Sequence, residues 1–140
     1  MKVSFDLDGT LFGVNYRRLV QIYNSLHDTG AEIGILTGRT PAMRASSMSI
    51  LNQIGIQGWN FWYDAEYMNA EEAKLIPVRT YLEPDEREGI HRFKVRIIKE
   101  KEISRHYDDE VRWMIQYAPE SPLVDVTKWG GDVDENIIGD

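Results

Sequence analysis

The densest chemistry in the chain lies in the string Asp6-Leu7-Asp8-Gly9-Thr10. From average residue frequencies, a D-x-D-G-T string arises by chance in a chain this long with odds of roughly one in a thousand. The alternation of Val3, Phe5 and Leu7 predicts a short buried strand over Lys2–Leu7, and the string falls where that strand runs out. Residues i and i+2 of a strand face the same side, so both carboxylates are expected to reach one small volume. Such a pair suits phosphoryl transfer. One carboxylate can attack phosphorus as a covalent nucleophile. The other can protonate the departing alkoxide and later take a proton from water. A magnesium ion held by oxygen ligands would offset the repulsion between carboxylate and phosphate. A strand running into an Asp-Gly turn explains one aspartate but not two.

Three more segments carry candidate residues. Ile35-Leu36-Thr37-Gly38-Arg39 ends a second apolar run, His91-Arg92-Phe93-Lys94-Val95 places a lysine early in a helical pattern, and His106-Tyr107-Asp108-Asp109-Glu110 supplies an acidic pair. Taken in order, these four segments resemble the motifs of the haloacid dehalogenase superfamily: DxD after the first strand, Thr or Ser after the second, a Lys before the fourth, and acidic residues after it. The resemblance implies Asp6 as nucleophile and Asp8 as general acid/base, with the Asp8 backbone carbonyl also touching Mg2+. It implies that Thr37 and the following amide of Gly38 hold phosphoryl oxygens, with Thr10 also on the substrate side. Lys94, rather than Lys99 or Lys101 at the far end of its helix, would neutralise the nucleophile and the phosphate. Asp108 would ligate the metal, and Asp109 would support the metal or Lys94. Arg39 could pair with substrate or with a nearby carboxylate. Within this superfamily a second Asp in the first motif marks phosphatases and phosphotransferases.

Only Leu11 to Asn15 separate the first motif from a helical pattern, too little for a cap domain there. The chain therefore resembles capless members, which tend to act on large substrates or chain ends. Thr37-Gly38-Arg39, Val78-Arg79, Phe93-Lys94, Asp108-Asp109 and Trp113-Met114 look most like the phosphatase domain of phage-type polynucleotide kinase/phosphatases. That likeness implies a nucleic-acid 3′-phosphate end as substrate and Arg79 as a contact to it, although Arg79 reads equally well as a surface residue. The alternatives are a phosphatase of small metabolites or sugar phosphates, and a catalytically silent binding protein.

The elements that must position these residues alternate between the two periodicities. Leu19, Ile22, Tyr23 and Leu26 predict a helix that Gly30 stops, and Ile33–Leu36 a strand. Thr40 and Pro41 read as N-cap and first position of a helix carrying Met48, Leu51 and Ile54 inward. Trp59–Tyr63 is strand-like, Phe93, Ile97 and Ile98 mark a helix, and Ile103–Tyr107 forms a strand more polar than a buried one should be. Val111, Met114, Ile115 and Ala118 repeat the helical spacing, and Leu123–Val126 is the last strand. This pattern predicts an α/β fold: a Rossmann-like parallel sheet of about five strands with helices on both faces. Residues 1–129 form the expected single catalytic domain, 64–89 an extended loop or minimal lid, and 130–140 an acidic tail.

Composition narrows the partners. The 140-residue chain carries a net charge of −7, which argues against nucleic-acid binding over a broad basic surface but not against a local pocket for one chain end. With 0 cysteines, neither disulfides nor thiolate metal sites can contribute. No stretch approaches the ~18 apolar residues of a membrane span, and a cytoplasmic protein is expected. His27, His91 and His106 share no metal-ligand spacing and read as structural or solvated; Trp59, Phe61, Trp62 and Tyr63 read as core more readily than as a stacking platform for bases.

Overall fold

A computed structural model describes residues 1–56 and 58–130; the expected acidic tail lies, from residue 131 onward, outside the described residues. Strands β1 (Lys2–Phe5), β2 (Glu32–Leu36), β3 (Phe61–Tyr63), β4 (Arg105–Asp108) and β5 (Leu123–Asp125) form one sheet in the order β3-β2-β1-β4-β5. Every pairing is parallel. Helices α1 (Tyr16–Asp28), α2 (Arg44–Gln53), α3 (Ala70–Lys74), α4 (Glu88–Glu100) and α5 (Val111–Met114) connect the strands. The fold is thus the expected Rossmann-like α/β arrangement. None of its described helices is long and apolar enough to cross a membrane.

The chain builds outward from β1 to β3, then crosses back to β4 on the other side of β1. The strand order therefore reverses between β1 and β4, the position where open parallel sheets leave a crevice at their carboxyl ends. Alternation gives the sheet two unlike faces. On one, Val3, Phe5, Ile33, Ile35 and Tyr107 pack with Leu19 and Tyr23 of α1 and Leu51 of α2. Phe5 and Tyr107, register partners across β1 and β4, stack with ring centroids 4.6 Å apart. On the other, Leu36 packs with Phe93, Ile97 and Ile98 of α4 and Met114 of α5.

Local signals explain most boundaries. Gly30, at φ 85°, ends α1 in a Schellman motif, its amide donating to the His27 carbonyl and that of Ala31 to the Leu26 carbonyl. Thr40 does not cap α2 with its side chain: Pro41–Met43 form a tight 3-10 turn first, and α2 starts at Arg44. The turn consumes the free amides itself, Met43 donating to the Thr40 carbonyl and Arg44 to that of Pro41. Helix α5 ends at Met114, well short of the expected Ala118, and 115–117 continue only as a turn; Ile115 is exposed. Strand β4 begins at Arg105 rather than Ile103, and Val126 starts a 3-10 turn instead of closing β5.

Within 64–89 the chain contains a docked helix. Asn69 and Glu72 form a capping box that starts α3, each side chain accepting the other residue's amide. Arg96 of α4 then donates to both Glu72 oxygens, at 2.7 and 3.0 Å. A Cβ on Gly89 would collide with the Glu72 carbonyl, so glycine permits this close approach. Burial raises the Glu72 pKa, but the Arg96 hydrogen bonds and the Asn69 amide more than offset it, leaving the carboxyl below its usual value. A folded-state pKa below the unfolded one means stability present above the unfolded value and lost as pH falls through the folded one. Glu72→Gln is expected to cost about 1–2 kcal/mol at pH 7. In urea unfolding, that difference should shrink on acidification below the ordinary carboxylate range.

Candidate active site

At the carboxyl end of β1 the ladder continues one residue further, the Asp6 amide donating to the Tyr107 carbonyl at 3.0 Å. The chain then turns. The amides of Thr10 and Phe12 both donate to the Leu7 carbonyl, and Gly9 takes φ 79°. A Cβ on Gly9 would overlap the Asp109 carboxylate, so this glycine lets the loop after β1 approach the loop after β4. Asp6 stays with the sheet and is buried, whereas the turn carries Asp8 away to a half-exposed position. The Asp8 side chain is not among the carboxylates that group with Asp6 within 4.8 Å. Asp8 instead accepts two hydrogen bonds from Arg39, Nε to Oδ2 at 2.9 Å and Nη2 to Oδ1 at 2.7 Å. Arg39 also donates to Ser47 Oγ and lies over the Phe12 ring.

Lys94 lies on the inward stripe of α4 among Ile90, Phe93, Ile97 and Ile98, and its side chain is 1% exposed. Its ammonium donates to Asp6 Oδ1 and Asp108 Oδ2, both at 2.8 Å. Thr10 Oγ1 donates to the other Asp6 oxygen at 3.0 Å and also approaches Asp109 Oδ1 at 3.4 Å. The Thr10 hydroxyl thus braces the carboxylate of Asp6. Thr37 is buried at the end of β2, where its hydroxyl accepts the Arg39 amide at 3.1 Å and keeps its own proton to donate. Gly38 packs under Ile90 of α4, leaving no room for a Cβ without displacing that side chain. Arg79 stands apart from this group: its guanidinium, 57% exposed, pairs with Glu86 at 2.6 Å.

The electrostatics follow from crowding charge in a dry place. Burial and the neighbouring Asp108 push the Asp6 carboxyl well up, against the pull of Lys94. Burial and Asp108 likewise push Asp109 up to about 6. Burial would also raise Asp108, but the Lys94 charge and a hydrogen bond from His106 hold it well below the carboxylate range. Lys94 stays charged because Asp108 and Asp6 outweigh its desolvation. Asp8 is partly desolvated, yet Arg39 keeps it below its usual value.

Asp6, Asp108 and Asp109 each offer one carboxylate oxygen, and these oxygens all lie within 4.8 Å of one another. Hard oxygen donors of this kind suit Mg2+ or Ca2+ rather than a soft metal. With all three carboxylates ionised, one ammonium leaves two negative charges, which a divalent cation would balance. The set could hold a hard divalent cation such as Mg2+, with the Asp8 side chain outside it.

Two groups beside this cluster escape motif reasoning. His91 and Arg87 both contact Glu110 Oε1, at 2.7 and 3.0 Å, and the Glu110 amide donates to Asp108 Oδ1 at 2.9 Å. His106 contacts Asp108 directly. The available signal is strand parity, since His106 lies two residues before Asp108 and Ser4 two before Asp6. His27, by contrast, is exposed. No family model, curated protein or solved structure matches the chain.

Because the Lys94 ammonium separates two buried carboxylates, Lys94→Met is expected to destabilise the fold by about 3–5 kcal/mol. Adding Asp108→Asn should recover part of that loss, as fewer uncompensated charges remain. Chemical denaturation of the single and double variants checks this; a purely additive double-variant loss would refute the coupling.

Proposed function

We propose that the chain is a Mg2+-dependent phosphomonoester hydrolase of the haloacid dehalogenase type, working through an aspartyl-phosphate on Asp6. The observation that carries this proposal is the buried Asp6–Lys94–Asp108 clamp, at the sheet's switch point, with Asp109 within cation-sharing reach. Lys94 and Thr10 occupy one Asp6 oxygen each, which fixes the carboxylate's orientation before substrate arrives. Mg2+ bound by Asp6, Asp108 and Asp109 supplies positive charge for the phosphoryl oxygens. The free hydroxyl proton of Thr37 and the guanidinium of Arg39 add donors at the adjacent strand end.

In the first half-reaction Asp8, released by Arg39 and protonated from solvent, gives that proton to the departing alkoxide as an Asp6 oxygen bonds to phosphorus and the ester P–O bond breaks. In the second, Asp8 takes a proton from water as that water attacks phosphorus. The bond from Asp6 to phosphorus then breaks, inorganic phosphate leaves, and Asp6 and Asp8 return to their starting states. A protonated Asp8 cannot keep both contacts to Arg39, so Arg39 moves from Asp8 towards the phosphoryl group during turnover.

The organic part of the substrate has room alongside. A cavity of about 820 Å³, bounded by Pro84, Asp109, Arg112, Trp113, Thr127 and Lys128, adjoins the site at the ends of β4 and β5. Arg112 and Lys128 form no ion pair among the described residues, and Trp113 offers an aromatic wall. These features favour a nucleotide or nucleic-acid end over a small sugar phosphate. A cytoplasmic location fits a cysteine-free chain.

Phosphate release from a nucleotide, a sugar phosphate and a 3′-phosphorylated oligonucleotide, with Mg2+ or with chelator, tests the proposal. Turnover is expected to require Mg2+ and to fall on the order of 10³-fold or more in Asp6→Asn. Activity that survives Asp6→Asn would overturn the nucleophile assignment. Preference for the sugar phosphate would redirect the substrate class, and Mg2+ binding without release from any ester would favour a silent binding protein.

A further inference from the structure

The polar character of β4 has no explanation in the chemistry so far. His106 lies in a strand hydrogen-bonded on both sides, where parallel sheets ordinarily carry Val, Ile or Leu. It is 0% exposed, as is its register partner Ser4 on β1. Burying a hydroxyl and an imidazole costs free energy unless each is hydrogen-bonded. Both are. Ser4 Oγ and His106 Nδ1 are 2.7 Å apart, and His106 Nε2 lies 2.8 Å from Asp108 Oδ2.

Chemistry fixes the Asp108 end of this line. Asp108 is held as a carboxylate and can only accept, so His106 Nε2–H donates to it. The Ser4 hydroxyl, which can both donate and accept, pairs with Nδ1 whichever role that nitrogen takes. The Ser-His-Asp order is that of a hydrolytic triad, but Ser4 is sealed within the sheet and no substrate can reach it. The line ends on Asp108 instead. Asp108 Oδ2 accepts from His106 and Lys94, and Oδ1 accepts the Glu110 amide. Three of its roughly four acceptor positions are thus filled. The carboxylate cannot rotate, and what remains free is on the Oδ1 side.

We propose that His106, anchored by Ser4, is a positioning residue that holds Asp108 in the orientation needed to bind a divalent cation. This rests on the assignment of Asp6, Asp108 and Asp109 as a Mg2+ site. Outer partners of this kind, when removed, typically weaken metal affinity 10–100-fold.

The test compares His106→Gln, long enough to place an amide N–H near the Nε2 position, with His106→Asn, which keeps a polar group but falls short of Asp108. Mg2+ binding by calorimetry, melting temperature, and the Mg2+ and ester dependence of turnover are measured for each. His106→Asn is expected to weaken Mg2+ binding 10-fold or more at little change in ester KM, with His106→Gln restoring most of it. Ser4→Ala, which removes a single oxygen, should weaken binding several-fold and carries the test if both His106 variants unfold. Unchanged Mg2+ affinity in folded His106→Asn or Ser4→Ala overturns the positioning role while leaving the hydrolase assignment intact. A wild-type protein that binds no Mg2+ overturns both. Equal losses in His106→Gln and His106→Asn, tracking melting temperature, would show a packing role only.

Discussion

The buried ammonium of Lys94 is the interaction on which the rest of the structure depends. A lone ammonium in this position would lose several kcal/mol of hydration, and so would each carboxylate beside it. Placing the ammonium 2.8 Å from both Asp6 and Asp108 makes all three burials tolerable at once. That requirement reaches far along the chain. Helix α4 must dock with Lys94 over the gap between β1 and β4, and Ile90, Phe93, Ile97 and Ile98 supply the apolar stripe that holds it there. On its outer side α4 is gripped by α3 through Glu72 and Arg96. The segment between β3 and α4 therefore braces the helix that delivers the lysine.

Around the clamp, carboxylate oxygens are held by short, directed contacts. Asp6 uses Lys94 and Thr10; Asp108 uses Lys94, His106 and the Glu110 amide. Glu110 is itself pinned by His91 and Arg87. A site organised in this way reorganises little when charge develops in it, which is how preorganised electrostatics lower a barrier. Asp8 is the contrast. It sits on a turn, half-exposed, and is tied to Arg39, whose other neighbours are Ser47 and Phe12. The buried part of the site belongs to the sheet and α4, and its more exposed part to the loops after β1 and β2.

Much of this was legible in the sequence because periodicity reports burial. The strand–helix alternation gives the parallel fold, and Gly30 marks the end of α1 through a backbone only glycine adopts easily. Lys94 was legible through the order of the motifs and its place early in the helix, and the structure sets it within the apolar stripe of α4. Other features depend on tertiary placement. The contrast between buried Asp6 and half-exposed Asp8 follows from a turn that begins at Leu7. The docking of α3 needs its capping box and Gly89 read together with an arginine on another helix. His106 reads as an anomaly in a single strand and makes sense only across the register with Ser4.

That register ties fold and site into one constraint. Along β1 and β4 the even-numbered residues Ser4, Asp6, His106 and Asp108 face α4, and the odd-numbered Phe5 and Tyr107 face α1. A slip of one residue in either strand would exchange the faces. It would drive carboxylates against Leu19 and Tyr23 and turn aromatic rings towards the lysine. A sheet with two apolar faces would tolerate such a slip at the cost of packing alone. Here the slip would strand buried charges as well, so the polar ladder that weakens β4 as an isolated strand specifies its pairing. The residues proposed for catalysis are among those that make the central register unambiguous.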